Sequence, residues 1–499
     1  MADSDRGLER TISRRALLRG GVIVGGTLFV PVWATGCGGA PETPAKTGAP
    51  AAAGAPAAAG APAKTGAPAA AGTPKKGGTL NVALSIQIET MDPPNISTTM
   101  LGSAAKLVYE GLTELDKNGT PQPKLATSWE TSADGLTWTY KLRPNVTFHD
   151  GTPFNSQAVK INFDRILDKN NNILRRNIID TIERISTLDD LTVQFHTAKP
   201  VGPMAANTAH PGMSFISPKA LEQYGNKDIA LHAVGTGPYT MESYPSLDRL
   251  ELARNDKYWG EPSYVDKVIF INVPEDAARV AMLQTGETDV ATNVPPQLVD
   301  TVKGNSKLAL VSEHSARSAH IGFNMNRPEF KDKRVRQAMN YAVDKEALLK
   351  TVMRGFGKIH DSPISPYEFG YVQTKTYGYD PEKAKALFAE AGWKPGADGI
   401  LQKDGQPLKV TIDTPQNRYL LDSQTTEAVQ GYLKAVGVDA TVRKMEFSTY
   451  WATRRGKEAK DQTSMYYMAW SSSTMDAAGS LQSFQTRFAS PGNNFGFYS

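Results

Sequence analysis

A single cysteine, Cys37, occurs among the 499 residues of this chain, close to the amino terminus. One cysteine cannot form an intramolecular disulfide and is too little to build a cysteine-based metal site. Any fold that the chain adopts must therefore be stabilised by packing of apolar side chains. A lone thiol at this position is also hard to assign to a folded core, so its neighbours in sequence decide its role.

The residues before Cys37 have the features of a twin-arginine export signal. Arg14 and Arg15 precede a weakly apolar segment over 22–33, which is shorter than the ~20 residues that span a bilayer. Residues 34–37 resemble a lipobox, the site at which bacterial lipoproteins are lipidated and cleaved. We therefore expect an exported protein whose lipidated Cys37 anchors it to the cell membrane, in the periplasm or on the outer face of a single-membrane cell. The alternative is an ordinary secretory signal in which Cys37 is incidental.

A low-complexity segment rich in Ala, Pro, Gly, Thr and Lys follows over residues 38–76. Such a composition has too little apolar surface to offset the entropy of ordering. A flexible chain of this length has a root-mean-square span of ~35 Å. We interpret the segment as a disordered tether between the signal at 1–37 and a folded body that begins at about residue 77.

The folded body is long enough for at least two lobes, since single cores stop growing beyond ~250–300 residues. The chain is 40% hydrophobic and 21% charged, with a net charge of +4 and no clustering of lysine and arginine. This composition is typical of a soluble globular protein and argues against nucleic acid as a partner.

Apolar residues alternate at strand spacing and recur at helical spacing along this body, which predicts an α/β fold with sheets of mixed direction. Predicted strands include 79–86, 138–143, 409–413 and 462–469, and predicted helices include 104–109, 218–224 and 333–343. A further helix is predicted to be capped by Ser156, with Val159 and Phe163 on its apolar face. Asp344 and the pair Asp380-Pro381 are predicted to start two more helices.

Seven segments along the folded body form a recognisable pattern. They are VYEGL at 108–112, LATSWE at 125–130, DGLTWTYKLR at 134–143, VTFHDGTPF at 146–154, GTGPY at 235–239, YWG at 258–260 and VRQAMNYAVDK at 335–345. In this order and spacing they resemble the signature of the family 5 solute-binding proteins, the extracytoplasmic receptors of peptide and nickel ABC importers. We expect most of these residues to be structural, with Trp129, Trp138 and Phe148 in a core and His149 bonded to nearby backbone.

The resemblance implies a two-lobed periplasmic-binding clamp of type II that closes on its ligand. By analogy, lobe I comprises 77–115 and 235–307, an extra subdomain inserted in it covers 116–234, and lobe II covers 308–499. The implied function is capture of a peptide or similar small solute and its delivery to ABC permease subunits, by a monomer without a cofactor or metal. Receptors for a nickel chelate, haem or an oligosaccharide share the fold and remain alternatives.

The resemblance also implies a ligand-contacting strand that ends in Trp470 and continues into a short loop. Trp470 offers a large rigid face to a ligand. In peptide-binding members, an acid three residues after this tryptophan holds the peptide's α-ammonium, and here that position is Ser473. A hydroxyl cannot neutralise an ammonium, so we expect free-amine peptides not to be held in the usual way. Asp476, three residues further on, is a candidate to supply the acid that is missing at position 473.

Four other residues are weaker candidates for ligand contact. Arg418 and Asn417 follow the strand at 409–413 and are placed to meet a ligand carboxylate. Asn95 and Met100 follow the first strand.

Catalytic signatures are missing from the sequence. It contains no His-Glu-x-x-His and no Gly-x-Ser-x-Gly motif, and its seven histidines are dispersed. A secreted serine hydrolase is therefore the remaining enzyme alternative. The sequence stops at an aromatic run, 495–499, which in the family resembles a point before strands that return to lobe I. We expect this return segment to be missing and a sheet edge to be exposed as a result.

Overall fold

The computed structural model describes residues 75–485, apart from 247, 361 and 456–462, together with residues 494, 496 and 497. The predictions for Arg14, Arg15 and Cys37, and for the tether up to residue 74, concern residues outside this described part. Within it, none of the helices combines the length and apolar character needed to cross a membrane.

The described residues form eighteen β-strands. In chain order they are β1 Thr79–Leu84, β2 Thr113–Leu115, β3 Pro121–Pro123, β4 Ala126–Thr131, β5 Thr137–Leu142, β6 Ile182–Asp189, β7 Thr192–Thr197, β8 Tyr239–Ser246, β9 Arg249–Arg254, β10 Lys267–Asn272, β11 Val290–Ala291, β12 Ser318–Phe323, β13 Lys394–Pro395, β14 Leu401–Lys403, β15 Gln406–Pro407, β16 Lys409–Pro415, β17 Asp439–Met445 and β18 Met465–Trp470.

Twelve α-helices accompany them in the described part. In chain order they are α1 Thr99–Ala105, α2 Ser156–Leu167, α3 Met204–Asn207, α4 Pro218–Asp228, α5 Asp276–Thr285, α6 Val299–Lys303, α7 Lys333–Ala342, α8 Lys345–Thr351, α9 Pro381–Glu390, α10 Asp422–Ala435, α11 Phe447–Arg455 and α12 Ala477–Leu481.

Three sheets carry most of the architecture. The first has the order β11-β1-β10-β9-β8, with β1 parallel to both β10 and β11 and the other pairs antiparallel. The second, β4-β5-β7-β6, is wholly antiparallel. The third, β12-β18-β16-β17, has β16 parallel to β17 and β18, and β12 antiparallel to β18. The predicted α/β class with mixed sheets is confirmed.

Several helix starts follow the sequence signals. The Asp344 carboxylate accepts the amide N–H of Ala347 at the start of α8. Asp380 accepts the N–H of Lys383 at the start of α9, with Pro381 in its first turn. α5 ends at Gly286, whose φ of 79° is the left-handed conformation that glycine adopts without strain.

Two predicted helix positions were wrong. The helix expected over 104–109 runs instead over Thr99–Ala105, because the Thr98 side chain accepts the N–H of Leu101 and caps it earlier. Asn155 caps α2, since the Ser156 hydroxyl donates instead to the carbonyl of Asp189.

The helix predicted over 218–224 is the first part of α4. α4 continues to Asp228 because the chain resumes helical turns after a break at Gly225, where φ is 61°.

Each large sheet has its own apolar core. Trp138, Phe148 and Phe163 belong to the core of the β4–β7 sheet, with Trp129 packed against it, as predicted. A second core lies against the five-stranded sheet and also includes Ala220 of α4, a residue in the range assigned by analogy to the inserted subdomain. The third core fills the space between β16 and helices α7, α9 and α10.

The buried carboxylate of Glu110 connects three of the signature segments by hydrogen bonds. Glu110 is 4% exposed and accepts hydrogen bonds from the Thr236 hydroxyl, at 2.8 Å, and the Tyr258 hydroxyl, at 2.7 Å. It also accepts the Trp259 indole N–H at 2.8 Å and pairs with Lys124. These contacts explain why GTGPY and YWG accompany VYEGL in the sequence.

His149 has the structural role predicted for it. Its Nδ1 accepts the Gly235 N–H at 3.3 Å and its Nε2 lies 3.0 Å from the Gly237 carbonyl, which fixes a neutral ring that donates from Nε2. Burial lowers the pKa of His149, in agreement with a neutral ring.

Candidate functional site

The candidate site lies at one edge of the β12-β18-β16-β17 sheet. The carboxyl ends of the parallel strands β16, β17 and β18 meet at this edge, and their following segments lead to Arg418, Phe447 and Ser471. β12 runs antiparallel to β18 and pairs Ser318 with Trp470, so Arg317, just before β12, lies at the same edge. Ligands of α/β proteins commonly bind outside the carboxyl ends of parallel strands.

Aromatic side chains dominate this edge. Tyr450, Tyr466 and Met468 are buried there, and partly buried side chains pack against them, namely Tyr419, Met445, Phe447, Trp451 and Trp470. We call the five residues Arg418, Tyr419, Phe447, Trp451 and Trp470 the arginine–aromatic cluster. It combines flat apolar faces with one partly buried cation, the composition of many small-ligand sites.

Arg418 has no acidic partner in the described part of the chain. Its guanidinium carbon lies 4.3 Å from the centroid of the Phe447 ring and 5.9 Å from that of Tyr419. Its Nε is buried without a hydrogen-bond partner among the described residues. Burial lowers the pKa of Arg418, and the charge of Arg317 acts in the same direction, while Tyr419 and Glu89 oppose the shift.

Two other buried arginines in the described residues pair with carboxylates. Arg454, whose side chain is 1% exposed, lies 2.7 Å from a carboxylate oxygen of Asp413, which also pairs with Arg443 at 2.8 Å. Arg165 makes two hydrogen bonds to Asp92, at 2.9 and 2.7 Å. Burying a charge without such a partner costs roughly several kcal/mol of folding free energy. Arg418 therefore differs from them in lacking a carboxylate partner among the described residues.

Asp422 stabilises the loop that carries Arg418 by hydrogen bonds to its backbone. The Asp422 carboxylate accepts the backbone N–H groups of Arg418 and Tyr419, both at 2.9 Å, and that of Ser423 at 2.7 Å. Asn417 and Leu421 have positive φ angles of 58° and 53°. Residues other than glycine adopt this conformation mainly where their surroundings impose it, often at functional sites. Asn417 itself is exposed at the rim.

Trp470 contributes a second unsatisfied donor. It ends β18 and packs against the buried Tyr466 and Met468. Its indole Nε1 is buried and has no acceptor in the described structure. A tryptophan N–H usually finds a partner when buried, so the Trp470 indole is a donor that a ligand could satisfy.

The loop after β18 separates Ser473 from Asp476. Ser473 is exposed, whereas the Asp476 carboxylate accepts the N–H of Ala478 and caps α12. Met475, with φ of 54°, contacts the turn at Gly119, where an added Cβ would lie 2.8 Å from the Met475 Cβ. Asp476 thus has a local role in the structure, and its contact with a ligand stays a prediction.

A buried carboxyl that the sequence did not single out supports the same loop. Glu368 is 4% exposed and accepts the Ser472 N–H at 2.7 Å and the Ser480 hydroxyl at 2.9 Å. Its second oxygen, Oε2, is buried without a partner among the residues described. Burial raises the pKa of Glu368, and the nearby Asp476 raises it further, against the two hydrogen bonds.

Asn95 and Met100 are not part of the arginine–aromatic cluster. Asn95 donates to Asp92 and accepts the N–H of Leu174. The Met100 sulfur lies 3.9 Å from the hydroxyls of Ser85 and Thr292, and its side chain packs on the core of the five-stranded sheet. The structure gives both residues local partners.

A metal site and a serine hydrolase each require a particular grouping of side chains. No group of three or more His, Cys, Asp or Glu side chains that could hold a metal ion occurs there. The Ser318 hydroxyl lies 2.7 Å from His360 Nε2, but Ser318 is 2% exposed and its hydroxyl is closed to a substrate.

Sequence comparison gives the chain clear relatives. Residues 120–491 match the sequence profile described as bacterial extracellular solute-binding proteins, family 5. The glutathione-binding protein GsiB of Pectobacterium atrosepticum is 34% identical over 424 residues, which cover 84% of this chain and 80% of the relative.

Structural comparison leads to the same group. The periplasmic binding protein DppA of Helicobacter pylori in complex with the peptide STSA has a TM-score of 0.73 and 27% identity, covering 85% of this chain and 84% of that one. NikZ of Campylobacter jejuni in complex with Ni(L-His) has a TM-score of 0.74 and 25% identity, covering 84% and 83%. These matches confirm the predicted two-lobed clamp.

Proposed function

The chain belongs to family 5 of the bacterial extracellular solute-binding proteins, the receptors of ABC importers, and we propose that it binds a small peptide or peptide-like solute by a carboxylate. Arg418 and Trp470 would hold that carboxylate, with the aromatic rings of the cluster packing against the rest of the ligand. The solute is then passed unaltered to the permease.

One observation carries the proposal. Two buried donors, Arg418 Nε and Trp470 Nε1, belong to the same cluster and lack acceptors within the described residues. Leaving a buried donor unsatisfied costs about 1–3 kcal/mol. A carboxylate offers up to four lone-pair sites and so can accept from both side chains at once.

The relatives support a peptide as the ligand. GsiB is named for glutathione, a tripeptide with two carboxylates, and the DppA structure holds the peptide STSA. NikZ holds nickel with L-histidine, an amino acid that also carries a carboxylate. A carboxylate is therefore a group that the ligands of all three share.

Recognition of the ligand's amine would depart from the usual arrangement. Ser473 stands where peptide-binding members place an acid, and Asp476 is engaged at the start of α12. We infer that a free α-ammonium adds little to affinity here. The loss of a charged hydrogen bond is worth ~1.5–3 kcal/mol, which is about ten- to a hundredfold in affinity.

The site of action would be the outer face of a membrane. Export through Arg14 and Arg15 and lipidation at Cys37 would leave the folded body on the tether 38–76, within reach of the permease. Closure of the two lobes around the solute would signal occupancy.

Isothermal titration calorimetry with glutathione tests the proposal. The wild type should bind it, and Arg418→Gln should weaken binding by about ten- to a hundredfold, because a neutral amide cannot replace a charge-assisted hydrogen bond. Arg354→Gln, which changes an exposed arginine beyond α8, is the matched control and should leave affinity unchanged. Equal affinity in wild type and Arg418→Gln would overturn the proposed role of the cluster.

A further inference from the structure

A second arginine without an acidic partner faces the same ring as Arg418. The guanidinium carbon of Arg317 lies 5.8 Å from the Tyr419 ring centroid, and that of Arg418 lies 5.9 Å from it. Arg317 is exposed and forms no ion pair in the described structure. Its charge nevertheless acts on Arg418, on Tyr419 and on Tyr467.

The carboxylates near these two cations do not neutralise them. Asp422 is engaged by three backbone N–H groups. Glu89 acts on Arg418 from a distance greater than an ion pair and accepts the Ser97 hydroxyl at 3.1 Å. Two like charges around one ring repel each other, and a bound anion would offset that repulsion.

The rim of the site adds a further positive group. A cavity of about 280 Å³ adjoins Ala316 and is lined by Lys117, His314, Tyr367 and Met475. Lys117 comes from the turn that contacts Met475, and it forms no ion pair in the part of the chain described here. Positive charge therefore extends from Arg418 through Arg317 toward the cavity.

We propose that Arg317 and Arg418 together select ligands that carry two anionic groups, with Arg418 holding the first carboxylate and Arg317 the second. This inference rests on the proposed function and narrows its ligand class to acidic peptides and related dicarboxylates. The ligand's two charges offset the repulsion between the guanidiniums. A ligand with a single carboxylate satisfies Arg418 and leaves Arg317 solvated.

Affinity measurements on a pair of matched ligands test the selection. Reduced glutathione carries two carboxylates, and its glycine monoethyl ester carries one. Arg317→Gln should lower the affinity for glutathione about tenfold and change the affinity for the ester less than about twofold. Arg418→Gln should weaken the binding of both ligands.

Two controls separate charge from shape. Arg317→Lys keeps the charge and should retain most of the affinity for glutathione. If altered packing were the cause of weaker binding, Arg317→Lys and Arg317→Gln would lose affinity to the same extent. Arg354→Gln should have no effect on either ligand.

The outcomes also distinguish this inference from the proposed function. Arg317→Gln that leaves glutathione binding unchanged, or that weakens both ligands equally, overturns the dianion selection while peptide binding stands. A wild type that binds neither ligand overturns both.

Discussion

The guanidinium of Arg418 lies 4.3 Å from the centroid of the Phe447 ring, and no carboxylate of the described chain pairs with it. The two residues come from different segments, Arg418 from the loop after β16 and Phe447 from the start of α11 after β17. The parallel pairing of β16 and β17 brings these segments to one edge. The aromatic ring packs against the cation, whose buried Nε has no acceptor among the described residues, and this is the arrangement expected of a preorganised anion site.

Removal of the ring should weaken ligand binding without removing the charge. Phe447→Leu should reduce affinity for glutathione about two- to fivefold, because a cation–π contact of this kind is worth ~0.5–1 kcal/mol. Phe369→Leu changes a ring that is 81% exposed and outside the cluster, and should leave affinity unchanged. Calorimetry on the two variants checks this, and equal effects would contradict a specific role for Phe447.

Contact between the turn at Gly119 and the loop after β18 should matter for ligand binding. Gly119→Ala places a Cβ against Met475 and also strains a backbone with φ of 80°. Gly151→Ala imposes the same kind of strain, with φ of 82°, but has open space around the new methyl. Backbone strain should cost each variant about 1 kcal/mol of stability, and Gly119→Ala should lose more because of its clash with Met475.

Ligand affinity separates the two glycine variants. Gly119→Ala alone should weaken glutathione binding, by roughly tenfold if the clash opposes closure by another ~1.4 kcal/mol. Thermal unfolding and calorimetry measure the two effects independently. A similar loss of affinity in Gly151→Ala would mean that strain, not the contact with Met475, is responsible.

N-acetylation of a peptide ligand should have little effect on the wild type. Ser473→Asp restores an acid at this position and should raise affinity for the free-amine form about ten- to a hundredfold, with acetylation then abolishing the gain. Ser473→Asn has a similar size without the charge and should behave as the wild type. A large loss on acetylation in the wild type would contradict the proposed departure from amine recognition.

Glu368 should make stability depend on pH. Burial raises the pKa of Glu368, so the folded state binds a proton more readily than the unfolded chain. Its favourable contribution is complete below the ordinary glutamate pKa of ~4.3 and is lost as pH rises through the raised folded value.

The glutamine in Glu368→Gln resembles the protonated acid. The stability of this variant relative to the wild type should therefore increase as pH rises. We expect a melting temperature about 2 °C or more above that of the wild type at pH 7.5, and little difference at pH 4. Thermal scans of both proteins at the two pH values check this. A difference that is the same at both would show that the carboxyl does not titrate as described.

Much of the fold was predictable because local signals agreed with it. Asp380-Pro381 and Asp344 start helices where the sequence placed them, and the buried Trp138 and Phe148 lie in a core as expected. The prediction misplaced the helix at 104–109 because it relied on the spacing of apolar residues. It did not consider Thr98, which caps the helix five residues earlier than its predicted start.

The site was only partly predictable for a different reason. Arg418 was proposed because it follows a predicted strand, and Trp470 because the family resemblance implies a ligand-contacting strand that ends there; the contact of either residue with a ligand stays a prediction. Phe447 also follows a strand, β17, so the rule that carboxyl ends of parallel strands meet could have identified it. Glu368 lies in an irregular segment without apolar periodicity, and only the folded chain brings it against Ser472, which is 104 residues away.

We expect the protein to hold an anionic peptide and to release it unchanged. Mass spectrometry of small molecules released by denaturing the purified full-length protein, before and after incubation with glutathione, tests it most directly. We predict an acidic peptide bound in stoichiometric amount, with added glutathione recovered at its original mass. Release of a neutral or cationic solute or a nickel chelate, or recovery of glutathione in altered form, would contradict the account.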